Sequence, residues 1–293
     1  MTKPHRFLVA ESEAPEERAE RRASTGRSSG ETYADTLREL VPGAVCEHLK
    51  PAEDSSAVQT AEMLRGFDAV FLCGSPMHIY EDSPEARRVL AFMRAVFESG
   101  TPSFGSCAGL QVAVAAAGGT VGPREDGQEA GFARRITPTA AGLAHKLMAG
   151  RPPAFDAPAI HSDEVKELPD GATLLATSLA NTVQAVEIRV GEGVFWGVQY
   201  HPELPLSEIA DALRRQWESL VKCGLAADEA AVTAHADRVD ALAAMPARRD
   251  LAWQLGLDEQ VTATALRQTE LRNFIRHLVE PTRQARAPAA VAA

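Results

Sequence analysis

The strongest chemical signal in the chain is the segment Phe104-Gly105-Ser106-Cys107-Ala108-Gly109-Leu110-Gln111. A G-x-C-x-G run that follows a β-like stretch and precedes an Ala-rich helical pattern is the cysteine counterpart of the G-x-S-x-G nucleophile elbow. The nucleophile of such an elbow sits on a sharp, strained strand-to-helix turn, so a side chain at Gly105 or Gly109 would crowd the neighbouring strand or helix. The turn would present the Cys107 thiol at the N-terminus of the next helix, whose dipole favours thiolate. It would also leave the Ala108 N–H free to donate to a developing oxyanion. Cys46, Cys73 and Cys223 stand in no such elbow, and no Cys/His spacing suits a structural zinc.

A thiol nucleophile needs a base and a group that orients the base. His201 lies in Gly197-Val198-Gln199-Tyr200-His201-Pro202-Glu203, just after the apolar run Val194 to Val198. An imidazole placed past a strand end would face the same crevice as Cys107, and Glu203 could hold its second ring nitrogen. Taken alone, the tripeptide reads more readily as a turn capped by Pro202 with Glu203 opening a helix; paired with the cysteine elbow, it reads as base and orienting acid. A third element is Cys73-Gly74-Ser75-Pro76 after the β-like run Ala69 to Cys73. There Gly74 either offers a second oxyanion N–H or belongs to an ordinary βα turn.

The elements that must position these residues follow a βαβ rhythm. Phe7 to Ala10, Ala44 to Leu49, Ala69 to Cys73 and Ser103 to Ser106 read as strands. Glu31 to Leu40, Val58 to Arg65 and Pro84 to Glu98 read as helices, and together they predict an α/β fold with a mostly parallel sheet covered on both faces. From Gly118 to Val198 the texture changes to Gly, Pro and short β-branched runs (Thr173 to Thr177, Val183 to Val190, Gly193 to Val198), which suits added antiparallel strands. Pro205 to Val221 predicts a closing helix. A domain over 1–223 is therefore expected, with 224–293 as a C-terminal helical appendage carrying helices in Ala226 to Met245, Leu251 to Leu255 and Ala265 to Val279. That appendage either packs on its own domain or makes a homodimer. The Ala/Pro-rich stretch Gln284 to Ala293 is expected to fray.

Glu11 to Gly30 is long for a strand-to-helix connection, which usually takes about two to six residues. It reads as a solvated surface loop, with room for a turn of helix around Pro15 to Arg22, or as a lid or docking loop beside the site, since such sheets bind ligands at strand C-terminal ends.

The chain has 293 residues, 45% hydrophobic and 24% charged, with a formal net charge of −10. That composition suits a folded enzyme, and the charge disfavours nucleic acid and anionic membranes as partners. No apolar run approaches the roughly 20 residues that span a bilayer, and the apolar run after Met1 is too short for a signal sequence. A cytoplasmic protein is expected. Gly118-Gly119 marks a turn, and no Gly-rich phosphate loop occurs, so neither ATP nor any other cofactor is expected to bind.

The elbow GSCAGLQ, the turn CGSP, the segment His161-Ser162-Asp163-Glu164-Val165 and the closing GVQYHPE resemble, in order and spacing, the class I glutamine amidotransferases. The likeness covers about Arg6 to Cys223 and is greatest to the glutaminase domain of GMP synthetase and its free-standing relatives. The resemblance implies that Cys107 attacks the glutamine side-chain amide to form a γ-glutamyl thioester, with His201 moving the proton and Glu203 orienting His201. It implies that Gly74 and Ala108 donate to the oxyanion and that Gln111 contacts the glutamine. Ser162 and Asp163 would bind the substrate head group while His161 stabilises their loop, and Glu129 and Gly131 match the family's E-x-G segment. Released ammonia would then serve a separate ATP-dependent synthetase. The long Glu11 to Gly30 segment and the helical tail depart from the family. They leave open a γ-glutamyl hydrolase acting on γ-glutamyl conjugates, or an idle regulatory protein of the same fold.

Overall fold

The computed structural model describes residues 3–53 and 59–286. Its strands are β1 (Arg6–Ala10), β2 (Val45–Leu49), β3 (Ala69–Leu72), β4 (Ser103–Ser106), β5 (Thr120–Pro123), β6 (Glu129–Pro138), β7 (Phe155–His161), β8 (Asp163–Glu167), β9 (Ala172–Thr177), β10 (Ala185–Val190) and β11 (Gly193–Val198). Nine of them form one sheet in the order β2-β1-β3-β4-β11-β10-β9-β6-β7, while β5 and β8 pair separately. The run from β2 to β11 is parallel, and from β10 onward the pairing is antiparallel. This is the α/β fold with a largely parallel core that the alternation of elements predicted, extended by the antiparallel strands expected after Gly118.

Alternation along each parallel strand sends side chains into two different cores. Phe7, Val9, Phe71 and Phe104 face one side; Leu8, Ala10, Val70 and Leu72 face the other. The second face is covered by α4 (Pro84–Ser99) and α5 (Ala108–Ala116), for which α1 (Pro15–Thr25), α2 (Ser29–Leu40) and α3 (Ala61–Leu64) precede in the chain. The first face receives Tyr33, Ala34 and Leu37 of α2 and, from the far end of the chain, Leu271, Phe274 and Ile275. Phe274 sits edge-on to Phe71, with ring centroids 5.5 Å apart, and also meets Phe104 and Trp196. The tail thus packs on its own sheet and completes that core.

Several expected elements have different bounds. The helix expected over Val58 to Arg65 is the short α3, and Val58 lies outside the described residues. After the short α6 (Ala140–Ala144), the Pro205 to Val221 helix is two, α7 (Leu206–Arg215) and α8 (Trp217–Lys222), broken at Gln216. α9 (Glu229–Ala244) and α10 (Arg249–Leu255) build a third apolar cluster against α7. Of the tail expected to fray, residues through Arg286 are helical and 287–293 lie outside the described residues.

The solvated-loop reading of Glu11 to Gly30 does not hold. Pro15–Thr25 is a helix whose Pro sits at its start, whose Glu17 side chain accepts from the Ala14 N–H at 2.9 Å, and whose end is Gly26 in the left-handed conformation. Glu11, Ser12 and Glu13 ahead of it are buried. Arg21 ties the helix to α7 through Glu208 at 2.5 Å, a contact across 187 residues that local propensity does not encode.

Candidate active site

Cys107 adopts φ 53°, ψ −112° between β4 and α5, one of two described non-glycine residues in the left-handed half of backbone space. Its N–H donates to the Val198 carbonyl at 2.9 Å, so the strained turn is fastened to the end of β11. The flanking glycines are required by contact. A Cβ on Gly105 would lie 2.6 Å from the Gly109 carbonyl carbon, and one on Gly109 would lie 2.4 Å from the Leu72 carbonyl oxygen. Ala108 occupies the first helical position, where an N–H has no intrahelical partner.

His201 enters the same crevice just beyond β11. Its backbone N–H donates to Pro158 at 2.7 Å, and its Nδ1 meets Glu203 Oε1 at 2.7 Å. Burial works against a charged imidazole here, but the Glu203 carboxylate, which accepts its hydrogen bond, and the adjacent Cys107 outweigh it and raise the His201 pKa to about 10. Gly74 is the other wall: a Cβ there would come within 2.7 Å of His201 Cε1 and 3.6 Å of Cys107 Cβ. Only glycine allows the end of β3 to approach the thiol and imidazole together.

A cavity of 440 Å³ opens over these groups, and Gly74, Cys107, Gln111, Ser162, Asp163, His201 and Glu203 all line it. Gln111 is one helical turn past the thiol, and its Nε2 donates to the Asp163 carbonyl at 3.1 Å. The Asp163 carboxylate meets His78 Nδ1 at 2.6 Å and accepts from Tyr80 at 3.4 Å, while Ser162 beside it is exposed. His161 is engaged on both nitrogens, Nδ1 with the Asp163 carbonyl and Nε2 with Glu129, each at 2.8 Å. Glu129 therefore sits beneath the site, and neither it nor Gly131 lines the cavity. Gly131 does take the positive φ of 86° that favours glycine.

Sequence reasoning named none of the outer-wall residues, although one of its two readings put Glu11 to Gly30 beside the site. Glu13, Glu17, Glu20 and Arg21 arrive on α1 and its entry, and Glu208, Arg215 and Gln216 on α7 and its end. Burial pushes the Glu13 carboxyl up, against the pull of Arg21 and the Ser29 hydroxyl. His78, which fastens Asp163, also escaped notice, for it follows the CGSP turn with no periodic signal of its own. Among the described residues no group of three or more His, Cys, Asp or Glu side chains could hold a metal, and no helix is long and apolar enough to cross a membrane.

An α/β sheet that presents a thiol on a strained elbow, with an imidazole and carboxylate at the next strand end, has the layout of a cysteine-dependent acyl-transfer enzyme. Residues 35–217 match the family model described as glutamine amidotransferase class-I, and the chain belongs to that family. Along 282 residues, 94% of both chains, it is 34% identical to a γ-glutamyl-L-1-hydroxyisopropylamide hydrolase from a Pseudomonas species. It is 32% identical over 185 residues to a glutamine-hydrolysing GMP synthase of Wolinella succinogenes, a match spanning 62% of this chain but only 32% of that one. The crystal structure of a glutamine amidotransferase from Thermotoga maritima superposes with a TM-score of 0.65 over 95% of this chain and all of that one, at 18% identity, a likeness of fold.

Proposed function

We propose that the protein is a cysteine-dependent hydrolase of γ-glutamyl amides. The observation that carries this reading is the convergence of Cys107, His201, Glu203 and Gly74 in one cavity whose inner wall holds Gln111, Ser162 and Asp163, with Ala108 opening the helix that follows the thiol. The Cys107 thiolate would add to the side-chain carbonyl carbon, and the N–H groups of Gly74 and Ala108 would hold the resulting oxyanion. His201, charged and oriented by Glu203, would give its proton to the departing nitrogen as the C–N bond breaks, leaving a γ-glutamyl thioester. Water, deprotonated by the now neutral His201, would attack the thioester, expel the thiol and release glutamate. Ser162 and the Asp163 loop would receive the amino-acid head group.

The amine side of the substrate would run outward between α1 and α7. The cavity continues past the thiol to Glu13, Glu17, Glu20, Arg21 and Glu208, which leaves room for an amine larger than ammonia. The full-length likeness to a hydrolase named for a hydroxylated γ-glutamyl amide supports the same choice. Steady-state rates with glutamine and a series of N-alkyl and N-hydroxyalkyl γ-glutamyl amides test it. Greater kcat/KM for the substituted amides is expected, and a large preference for free glutamine overturns this assignment. That second result would favour the other reading, motivated by the match to GMP synthases: a glutaminase delivering ammonia to a separate ATP-dependent synthetase.

A further inference from the structure

The outer oxygen of Glu203 does not face solvent or His201. It accepts a hydrogen bond of 2.9 Å from the hydroxyl of Ser106, the residue immediately before Cys107. Ser106 Oγ lies in turn 3.2 Å from the Tyr33 hydroxyl. The directions of these bonds are fixed by chemistry. A carboxylate only accepts, so Ser106 spends its single proton on Glu203, and Tyr33 must donate to the lone pair that remains on Ser106. All three residues are buried, Ser106 and Tyr33 completely.

Each link is held rigidly. Ser106 ends β4, inside the parallel ladder with β11. Tyr33 has its ring tilted against Phe71, with centroids 5.7 Å apart, in the core under the sheet. Three residues along α2, Thr36 donates to the Glu203 carbonyl at 3.1 Å, so one face of α2 grips both the backbone and, through Ser106, the side chain of Glu203. β4 reads Ser-Phe-Gly-Ser, and its last serine, completely buried, spends its hydroxyl on Glu203 rather than on its own strand.

We propose that Ser106 and Tyr33 are positioning residues: a chain of two hydroxyls that fixes the Glu203 carboxylate and, through it, the charge and orientation of His201. The titratable groups that share this space are Glu203 and His201 on the loop after β11, Cys107 on the elbow, Cys73 at the end of β3 and Tyr33 on α2. Removing the Ser106 hydroxyl strands one oxygen of a buried carboxylate and releases Glu203 from its fixed orientation; as its contact with the imidazole loosens, the pKa of His201 falls. The role rests on the proposed hydrolysis only in that Cys107 and His201 do the chemistry; it does not depend on which γ-glutamyl amide is cleaved.

The test uses Ser106→Ala and Tyr33→Phe in the full chain. Ser106→Ala should lower kcat about tenfold or more, the loss expected when a hydrogen bond to a charged group disappears. KM should stay nearly constant, the alkaline limb of the kcat profile should move to lower pH, and the His201 imidazole resonances should titrate at lower pH. Tyr33→Phe should move each quantity the same way by less, and Ser106→Thr should restore part of the loss. A merely structural serine would change stability while leaving the alkaline limb and the His201 titration in place. If both are unmoved in Tyr33→Phe and in any folded Ser106→Ala protein, the relay is wrong. Failure of the underlying hydrolase reading would look different, as retained turnover in Cys107→Ala.

Discussion

Two buried histidines line the cavity, and each meets a glutamate at nearly the same distance, His201 to Glu203 at 2.7 Å and His161 to Glu129 at 2.8 Å. In the sequence they even look alike, since His161-Ser162-Asp163 and His201-Pro202-Glu203 both place an acid two residues on. What separates them is the second ring nitrogen. On His161 it is occupied by the Asp163 carbonyl, whereas on His201 the far side of the ring meets Gly74 and Cys107. A histidine–carboxylate pair closed on both sides holds a loop in place; one left open toward a thiol can move a proton. The carboxylates differ in the same way. Asp163 turns its side chain away to His78, while Glu203 turns back to its own histidine.

The comparison breaks most easily at the thiol. Cys107→Ala should reduce turnover by about 10⁴-fold or more while calorimetry still detects substrate binding, because the proposed nucleophile goes and the Gln111 and Asp163 wall stays. The two histidines should then part ways. His201→Asn should cost about 10²- to 10⁴-fold in kcat, the range for a lost general acid and base. His161→Asn should instead cost about 3 kcal/mol of stability by leaving Glu129 buried without its partner, with a much smaller effect on kcat. Kinetics and denaturant unfolding of both variants decide; exchanged phenotypes would mean that the open and closed pairs have been assigned the wrong way round.

The pH dependence sharpens the contrast further. His201 has its pKa raised from an ordinary 6.5 to about 10 in the folded protein, as the hydrogen-bonded Glu203 carboxylate and the adjacent Cys107 overcome burial. Because the folded value lies above the unfolded one, this stabilisation is complete below pH 6.5 and is lost as the pH rises toward 10. Unfolding midpoints should fall across that window in the wild-type protein and much less in Glu203→Gln. The smallest effect is expected at Gln184, whose amide donates to Glu129 Oε2 at 3.4 Å on the closed pair. Gln184→Ala should lower stability by about 1 kcal/mol and leave turnover unchanged; a marked loss of kcat would connect the closed pair to the chemistry.

Much of the frame was legible because local rules wrote it. β4 and β11 have the bounds that the β-like runs predicted, and Gly105 and Gly109 are small for the steric reason that the elbow motif supplies. The third signal, Gly74, could be read as an ordinary turn until the short approach to His201 gave it a purpose. Other parts left no local trace. Nothing in Glu11 to Gly30 indicates that a charged helix will dock on α7, since Arg21 finds Glu208 and Thr32 finds the same carboxylate 176 residues away. Likewise the spacing in Ala265 to Val279 predicts helix but not that Phe274 will close the aromatic core over Phe71 and Phe104.

The sequence by itself therefore determined the α/β alternation, the thiol elbow and the candidates to serve it, because periodicity, glycine sterics and turn chemistry act over a few residues. Only the tertiary structure decided which histidine keeps a nitrogen open, that the hydroxyls of Ser106 and Tyr33 stand behind Glu203, and that α1 walls the cavity. The last two outcomes depend on hydrogen bonds between groups 73 to 187 residues apart, whose lone pairs and protons find one another only after the sheet and its helices have closed, and the first depends on how close the end of β3 comes to the His201 ring.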